Sequence, residues 1–212
     1  MGNLQQQLSS AWATGGTMPD AHDLIQETTW VQASQRGDTL AFNRLVLKWE
    51  RTVFNIALRM LCDREEAAEA AQEVFLAAYK SIRRFRGDCK FSTWLFRIAI
   101  NHCISRSRRR PPGIQIPLEH GEPETAPPEQ LRVAGTQEGD LLRAETRQRV
   151  QKALAFLPAD QRAVVELKFY QDQTFEEMAA ILQVPLSTVK SRLYAGLDLL
   201  KNRLGRTGRA GG

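Results

Sequence analysis

Apolar residues recur at intervals of three and four along most of this chain, the spacing of helices with one buried face. The longest run follows Asp38, a residue type that caps helix N-termini. There Phe42, Leu45, Val46, Trp49, Val53, Ile56, Ala57 and Met60 share a side wide enough to belong in a core. Residues 64–80 and 92–108 predict two further helices. The pattern then lapses, returns from Leu141 to Leu157, breaks at Pro158 and resumes to about Phe169. No segment alternates convincingly as a strand would. The expected fold is therefore all-α, with two small helical domains joined by a flexible linker.

Residues 174–200 carry the sharpest pattern. Thr174 and Glu177 have the spacing of a capping box, so a helix can start there. Phe175, Met178, Ala179 and Leu182 fall on one face, and Gln183, Val184 and Pro185 interrupt the period. In the helix that follows, Val189 and Leu193 face inward one turn apart. Thr188, Lys190, Ser191, Arg192 and Tyr194 are left to point outward as polar or basic donors. This is a helix-turn-helix pattern, a device that presents side chains to the DNA major groove. Ala179 and Ala180 are small where two crossing helices would approach closely. An ordinary helical hairpin with a solvated face would show the same periodicity.

Composition sets the scale. The 212 residues can hold one or two small domains, and 42% hydrophobic with 25% charged residues is a globular balance. A net charge of +5 suits a polyanionic partner. Its distribution is uneven. Residues 106–110, RSRRR, are densely basic, whereas residues 119–145 carry seven acidic side chains and two basic ones. Residues 111–139 are rich in proline and glycine and read as an extended acidic linker. Residues 1–26 are rich in Gln, Ser, Gly and Thr and read as a disordered tail. The expected divisions are thus a tail at 1–26, a domain at 27–110, the linker at 111–139, a second domain at 140–204 and a flexible tail at 205–212. Cys62, Cys89 and Cys103 are odd in number and widely spaced, which argues for a reducing compartment. With no signal-peptide core and no run of membrane-spanning length, a cytoplasmic protein without membrane insertion is expected.

Two charged constellations stand out. Glu65, Glu69 and Glu73 follow one another at intervals of four, and like charges at that spacing cost a helix roughly 0.2–0.5 kcal/mol per pair. Such a ridge on a basic protein suggests a basic protein partner, although a solvated face is the plainer alternative. No His, Cys or Gly-rich loop accompanies it at ligand spacing, so neither a metal, a cofactor nor acid–base catalysis is expected. His102 beside Cys103 lacks a matching pair and reads as packing or surface. Between residues 75 and 97, six aromatic rings interleave with six basic side chains. The stretch Phe85 to Lys90 breaks the helical period as a loop. A basic loop edged by rings suits single-stranded nucleic acid, where bases stack while cations hold phosphates. Arg97, Asn101, Ser105 and Arg108 then form a polar stripe, and Arg106, Arg109 and Arg110 extend its positive end.

Taken together, the chain resembles an extracytoplasmic-function (ECF) sigma factor of the sigma-70 family. QEVF, FRGD, FSTWL and TVKSRL are short singly but specific jointly, and they appear in the right order across both domains. The resemblance implies a first domain like sigma region 2, which melts and captures the promoter −10 element. It implies a second like region 4, which binds the −35 element. The implied −10 contacts are Arg86, Lys90, Phe91, Ser92, Thr93, Trp94, Arg97, Asn101 and Arg108, with a flipped base held by the loop at 86–93. The implied −35 contacts are Ser187, Thr188, Lys190, Ser191, Arg192 and Tyr194. Glu69, Gln72, Glu73 and Phe75 would face RNA polymerase, and the linker would run through that enzyme toward its active-site and RNA-exit channels. Ser105, Ile100, Ala195 and Leu197 depart from the family pattern, which bears on details of promoter contact. The expected partners are core RNA polymerase, promoter DNA and an anti-sigma factor. No cofactor, metal or catalytic residue is expected, and the chain is not itself an enzyme. A free-standing helix-turn-helix repressor or activator would explain residues 174–196 but leave the aromatic loop and acidic ridge without a role. An RNA-binding adaptor and a hydrolase are weaker readings still.

Overall fold

The computed structural model describes residues 21–109 and 150–207. Its first part holds helices α1 (Ala21–Gln35), α2 (Thr39–Leu61), α3 (Arg64–Ser81) and α4 (Phe91–Arg109), with a 3₁₀ turn at Ile82–Arg84. The second part enters on a helical stretch at 150–155. It continues with α5 (Ala159–Phe169), α6 (Phe175–Leu182) and α7 (Leu186–Thr207). Among the described residues there is no strand.

Local chemistry explains the element boundaries. The N–H groups of Leu40 and Ala41 donate to Asp38 Oδ1 at 2.8 and 3.1 Å, which starts α2 at the expected cap. Cys62 ends that helix in the left-handed region at φ 58°, its N–H donating to the Leu58 carbonyl. Asp63 then caps α3 by accepting from Glu66 N at 2.8 Å. The capping box of α6 is complete. Thr174 Oγ1 accepts from Glu177 N at 3.1 Å, and Glu177 Oε2 accepts from Thr174 N at 3.0 Å. Gln183 closes α6 at φ 54°, and Pro185, which cannot continue α6, leads into α7.

Three boundaries depart from expectation. α1 begins at Ala21, inside the expected tail, because tertiary contacts organise a segment whose own periodicity is weak. Val31 is buried, and Glu27 accepts from Trp49 Nε1 and pairs with Lys48 of α2. α4 begins at Phe91, so residues 91–93 belong to a helix and not to the loop. α7 runs to Thr207, past the expected end at 204, since each added residue gains a backbone bond once a helix is anchored. Residues 1–20, 110–149 and 208–212, which include most of the expected tails, the linker and Arg110, lie outside the described residues.

The core is assembled from the predicted faces. Val53, Ile56 and Met60 of α2 meet Ala70, Val74 and Ala78 of α3 and Leu95, Ile100 and Cys103 of α4. Met178, Ile181, Val189, Leu193 and Leu200 close the second part around α5. Each large side chain removed from water contributes about 1.5–3 kcal/mol before the entropy of ordering is subtracted. A close approach in this part lies at Gly196, and Ala179, one of the expected small residues, also packs against the core. A Cβ at Gly196 would stand 3.4 Å from both Leu157 and Val165, so α7 presses directly on the helix pair beneath it. Ala180 is exposed. The buried residues of the two parts form one continuous cluster, with α5 packed against α2 and α4 and α6 against α4.

Candidate nucleic-acid and protein-facing surfaces

The loop after α3 sits on an aromatic cluster. Phe85, Phe91 and Trp94 have ring centroids 5.2–6.1 Å apart, and the Phe85 carbonyl accepts from Gln35 Nε2 at 2.6 Å. Gly87 turns the chain at φ 78°, a conformation that favours glycine. This arrangement sorts the expected −10 residues into two classes. Phe91 and Thr93 are 6% and 3% exposed, so they are core residues that support the loop and offer no free face to a base. The reason is the helix start at Phe91, which turns positions 91, 95 and 99 inward together. Arg86, Lys90, Asn101 and Arg108 are exposed, and Ser92, Trp94 and Arg97 are half-buried.

Three of those cations are held by the second part of the molecule. Lys90 Nζ pairs with Glu177 Oε1 at 3.0 Å. Arg97 donates to the Ala180 carbonyl at 2.7 Å. Arg108 reaches Asp160 at 3.2 Å, and the same carboxylate takes Arg192 of α7 at 3.3 Å. One aspartate thus binds a residue expected at the −10 element and another expected at the −35 element. Arg192 is consequently half-buried, unlike its expected outward position. Lys190, Ser191 and Tyr194 are exposed, and Ser187 precedes them on the same helix, also exposed. Thr188 is half-buried and its carbonyl accepts from Ser191 Oγ. Lys190 lies 5.7 Å from the ring centre of Phe175, a cation–π approach that leans it toward α6.

Deeper in the same junction lies a buried ion pair. Arg59 donates to both oxygens of Glu166, at 2.6 and 2.8 Å, and stacks 4.1 Å from the Tyr170 ring centre. Burial works against the guanidinium charge, but the Glu166 carboxylate outweighs it and holds Arg59 above its ordinary pKa. Arg162 of α5 donates to the Met60 carbonyl and, at 2.7 and 3.0 Å, to the carbonyls of Ala155 and Leu157. Neither Glu166 nor Arg162 was expected to matter. A charged residue inside the apolar run Val164 to Leu167 was the available signal, but its partner lies 107 positions away.

The acidic ridge divides likewise. Arg106 of α4 lies across it, bonding Glu69 and reaching Glu66 and Glu73 at 3.6 and 3.5 Å. His102 Nε2 stands 2.6 Å from Glu73. Two of the like charges that suggested an external partner, Glu69 and Glu73, therefore have a counter-charge within the domain, whereas Glu65 is exposed. Gln72 and Phe75 turn the other way. They line an open groove of about 590 Å³ between α2 and α3, with Val46, Phe54 and Leu58 opposite.

Comparison with known proteins matches these surfaces to a family. Residues 45–111 fit the Sigma-70 region 2 model and residues 147–200 fit the Sigma-70 region 4 model. The RNA polymerase sigma-H factor of Pseudomonas aeruginosa is 34% identical over 183 residues, covering 84% of this chain and 94% of that protein. The chain belongs to the ECF group of the sigma-70 family. The ECF RNA polymerase sigma-E factor of Haemophilus influenzae is 32% identical, over 85% of this chain and 96% of its own length. The fold is similar to the sigma factor RpoE solved with the anti-sigma factor NepR from Bartonella quintana. That likeness has a TM-score of 0.59 and 23% identity over 77% of this chain and 96% of that one. Its function is that of a sigma factor, which works with core RNA polymerase at promoters, and not of a free-standing repressor.

Cys103 is buried, and its thiol is pushed up to about 12 by burial, which makes it inert as a nucleophile. Among the described residues no cluster of His, Cys, Asp and Glu could hold a metal, and no helix is long and apolar enough to cross a membrane.

Proposed function

We propose a division of labour among the surfaces of this sigma factor. The α2–α3 groove, with Gln72 and Phe75, binds core polymerase. Lys190, Ser191 and Tyr194 of α7 read the −35 duplex, joined by Arg192 once it leaves Asp160, with Ser187 and Thr188 beside them at the helix start. The loop at 86–90 with Trp94, Arg97, Asn101 and Arg108 receives the opened −10 strand. Phe91 and Thr93 act beneath that surface by fixing Trp94 and the loop. Glu69 and Glu73 contribute by positioning α4 through Arg106. The modules carrying these surfaces run from Ala21 to about residue 110 and from about 140 to Thr207, with residues 111–139 as the tether. The protein acts in the cytoplasm, catalyses nothing by itself, and is restrained by an anti-sigma factor.

The observation that supports this reading best is the grouping of three cations, exposed at Lys90 and Arg108 and half-buried at Arg97. Lys90, Arg97 and Arg108 line one side of α4 beside an aromatic cluster, the combination that single strands require. The polymerase surface, on the α2–α3 groove, is built from different side chains. Run-off transcription tests it. Purified chain with core polymerase should initiate at discrete start sites on a library of bacterial promoter fragments, and chain or core alone should not. Core that initiates equally without the chain would overturn the reading.

A further inference from the structure

The loop that the proposed function assigns to the opened strand is attached to its domain at few points. Phe85 N donates to the Ile82 carbonyl at 3.0 Å, and at the far end Trp94 N donates to the Lys90 carbonyl at 3.2 Å as α4 begins. Between them, among the described residues, the backbone of Arg86, Gly87, Asp88 and Cys89 makes no hydrogen bond. Arg86, Gly87 and Asp88 are exposed. The course of this segment therefore depends on where Phe85 is held.

Phe85 is held from outside. Gln35 Nε2 donates to its carbonyl at 2.6 Å, from the last residue of α1 and 50 positions earlier in the chain. Both residues are half-buried, so water competes for this bond less than it would at the surface. The donor stands on a fixed base. Behind it, Gly37 N donates to the Ser34 carbonyl and Asp38 N to the Ala33 carbonyl, with Gly37 at φ 100°, which closes the turn into α2. Ser34 is buried, and its hydroxyl donates to the Trp30 carbonyl at 2.6 Å. Farther back, α1 is tied to α2 by Val31 and by Glu27 with Lys48 and Trp49. A braced helix hairpin thus extends one side-chain amide to the backbone atom from which the unbonded segment departs.

We infer that Gln35 is a positioning residue for strand capture: its amide fixes Phe85, and through Phe85 the placement of residues 86–89 relative to the Phe91 and Trp94 rings. The inference rests on the proposed role of the loop and names the residue that gives the loop one shape. Gln35 itself touches no DNA in this role. Without its bond the segment has more conformations to lose on meeting an unpaired base, and binding weakens by that entropy. The α2–α3 groove and α7 lie outside this chain of support, so binding to core polymerase and to the −35 duplex stays unchanged.

The test compares three variants with wild type. Gln35→Met keeps a long, helix-compatible side chain but cannot donate. Gln35→Lys keeps a donor. Gln35→Met with Gln32→Lys supplies the lysine charge at an exposed position one turn back, without the donor. In the free chain, the half-buried thiol of Cys89 reports the loop. Gln35→Met should raise its alkylation by iodoacetamide about fivefold, the weight of one hydrogen bond, with Cys62 unchanged. Should that variant also expose the buried Cys103, and so be unfolded, Gln35→Glu, equally without a donor, takes its place. In holoenzyme reconstituted with core polymerase, single strands from the −10 region of a fragment used by wild type are made abasic one position at a time. Wild type should lose about tenfold in affinity at one position, as loss of a stacked base does. Gln35→Met and the charge-matched variant should lose less than about threefold there, Gln35→Lys should restore the difference, and all should bind core equally. An unchanged Cys89 rate, undiminished abasic discrimination in Gln35→Met, or recovery in the charge-matched variant would overturn the role of Gln35. A wild type indifferent to every abasic position would remove the loop's proposed role in base capture, and this inference with it, while the Cys89 rates would still show whether Gln35 holds the loop.

Discussion

The acidic row of α3 and the basic row of α4 lie on the same small domain, and members of both find partners, but partners of different permanence. Glu66, Glu69 and Glu73 are met by Arg106 from the neighbouring helix of their own domain. Lys90, Arg97 and Arg108 are met by groups from the other domain. The first compensation survives any rearrangement that keeps the domain folded. The second lasts only while the domains touch. A charge pattern alone therefore does not identify a docking surface; what matters is whether its counter-charges belong to the same rigid unit.

Breaking the buried pair should give the largest effect. Removing one partner of a fully buried ion pair costs roughly 3–5 kcal/mol when the other has no route to water. In Arg59→Ala the escape for Glu166 is separation of the domains. The expected outcome is a more expanded chain in small-angle scattering, with the cooperative melting of each domain retained. A variant that stays compact would show that Arg59 does not hold the junction.

Overpacking the second domain comes next. Gly196→Leu must displace Leu157 and Val165, and overfilled cores lose about 1–3 kcal/mol. Thermal denaturation should show that loss. Gly196→Ala should be close to neutral, because its gain in helix propensity of about 1 kcal/mol offsets a tight contact.

A third pair of variants sharpens the contrast between groove and ridge. Phe75→Ala should weaken association with core polymerase about tenfold, as loss of an aromatic anchor does. Glu69→Gln should change it less than about threefold and cost no more than ~1 kcal/mol of stability, since this exposed carboxylate serves Arg106. Fluorescence titration against core polymerase distinguishes them. The reverse order would restore the ridge as the docking surface.

The smallest effects are those of protonation. Glu177 is held below the usual carboxylate range, chiefly because the Thr174 N–H donates to it; burial opposes this and Lys90 assists. The folded state thus prefers the ionised form. The resulting stability is complete at neutral pH and is lost as pH falls through the depressed folded value. Melting temperatures in acid should fall less steeply for Glu177→Gln than for wild type. Cys103 behaves oppositely at the alkaline end. With its thiol raised to about 12, its contribution is full below the ordinary thiol value of about 8.5 and declines as pH climbs toward 12. Native-state alkylation at pH about 8.5 should therefore spare Cys103 until the chain is unfolded.

The helices, their caps and the all-α class were legible in the sequence because they depend on interactions within four residues. Asp38 and the Thr174–Glu177 box act on backbone groups one turn away, and Val189 and Leu193 face inward through helical spacing alone. The short motifs QEVF, FRGD, FSTWL and TVKSRL carried the family for a similar reason, since each sits within one or two turns. The tertiary structure decided which charged residues are available. Arg106 closes a ridge 37 positions earlier, Arg59 finds Glu166 across 107 positions, and Asp160 gathers arginines from two helices. It also moved Phe91 and Thr93 from the expected contact surface into the core and brought Leu157 and Val165 close to Gly196. Periodicity tells which side of a helix faces inward, but only packing tells what stands opposite, and electrostatic energy depends on that distance and on the water excluded from it.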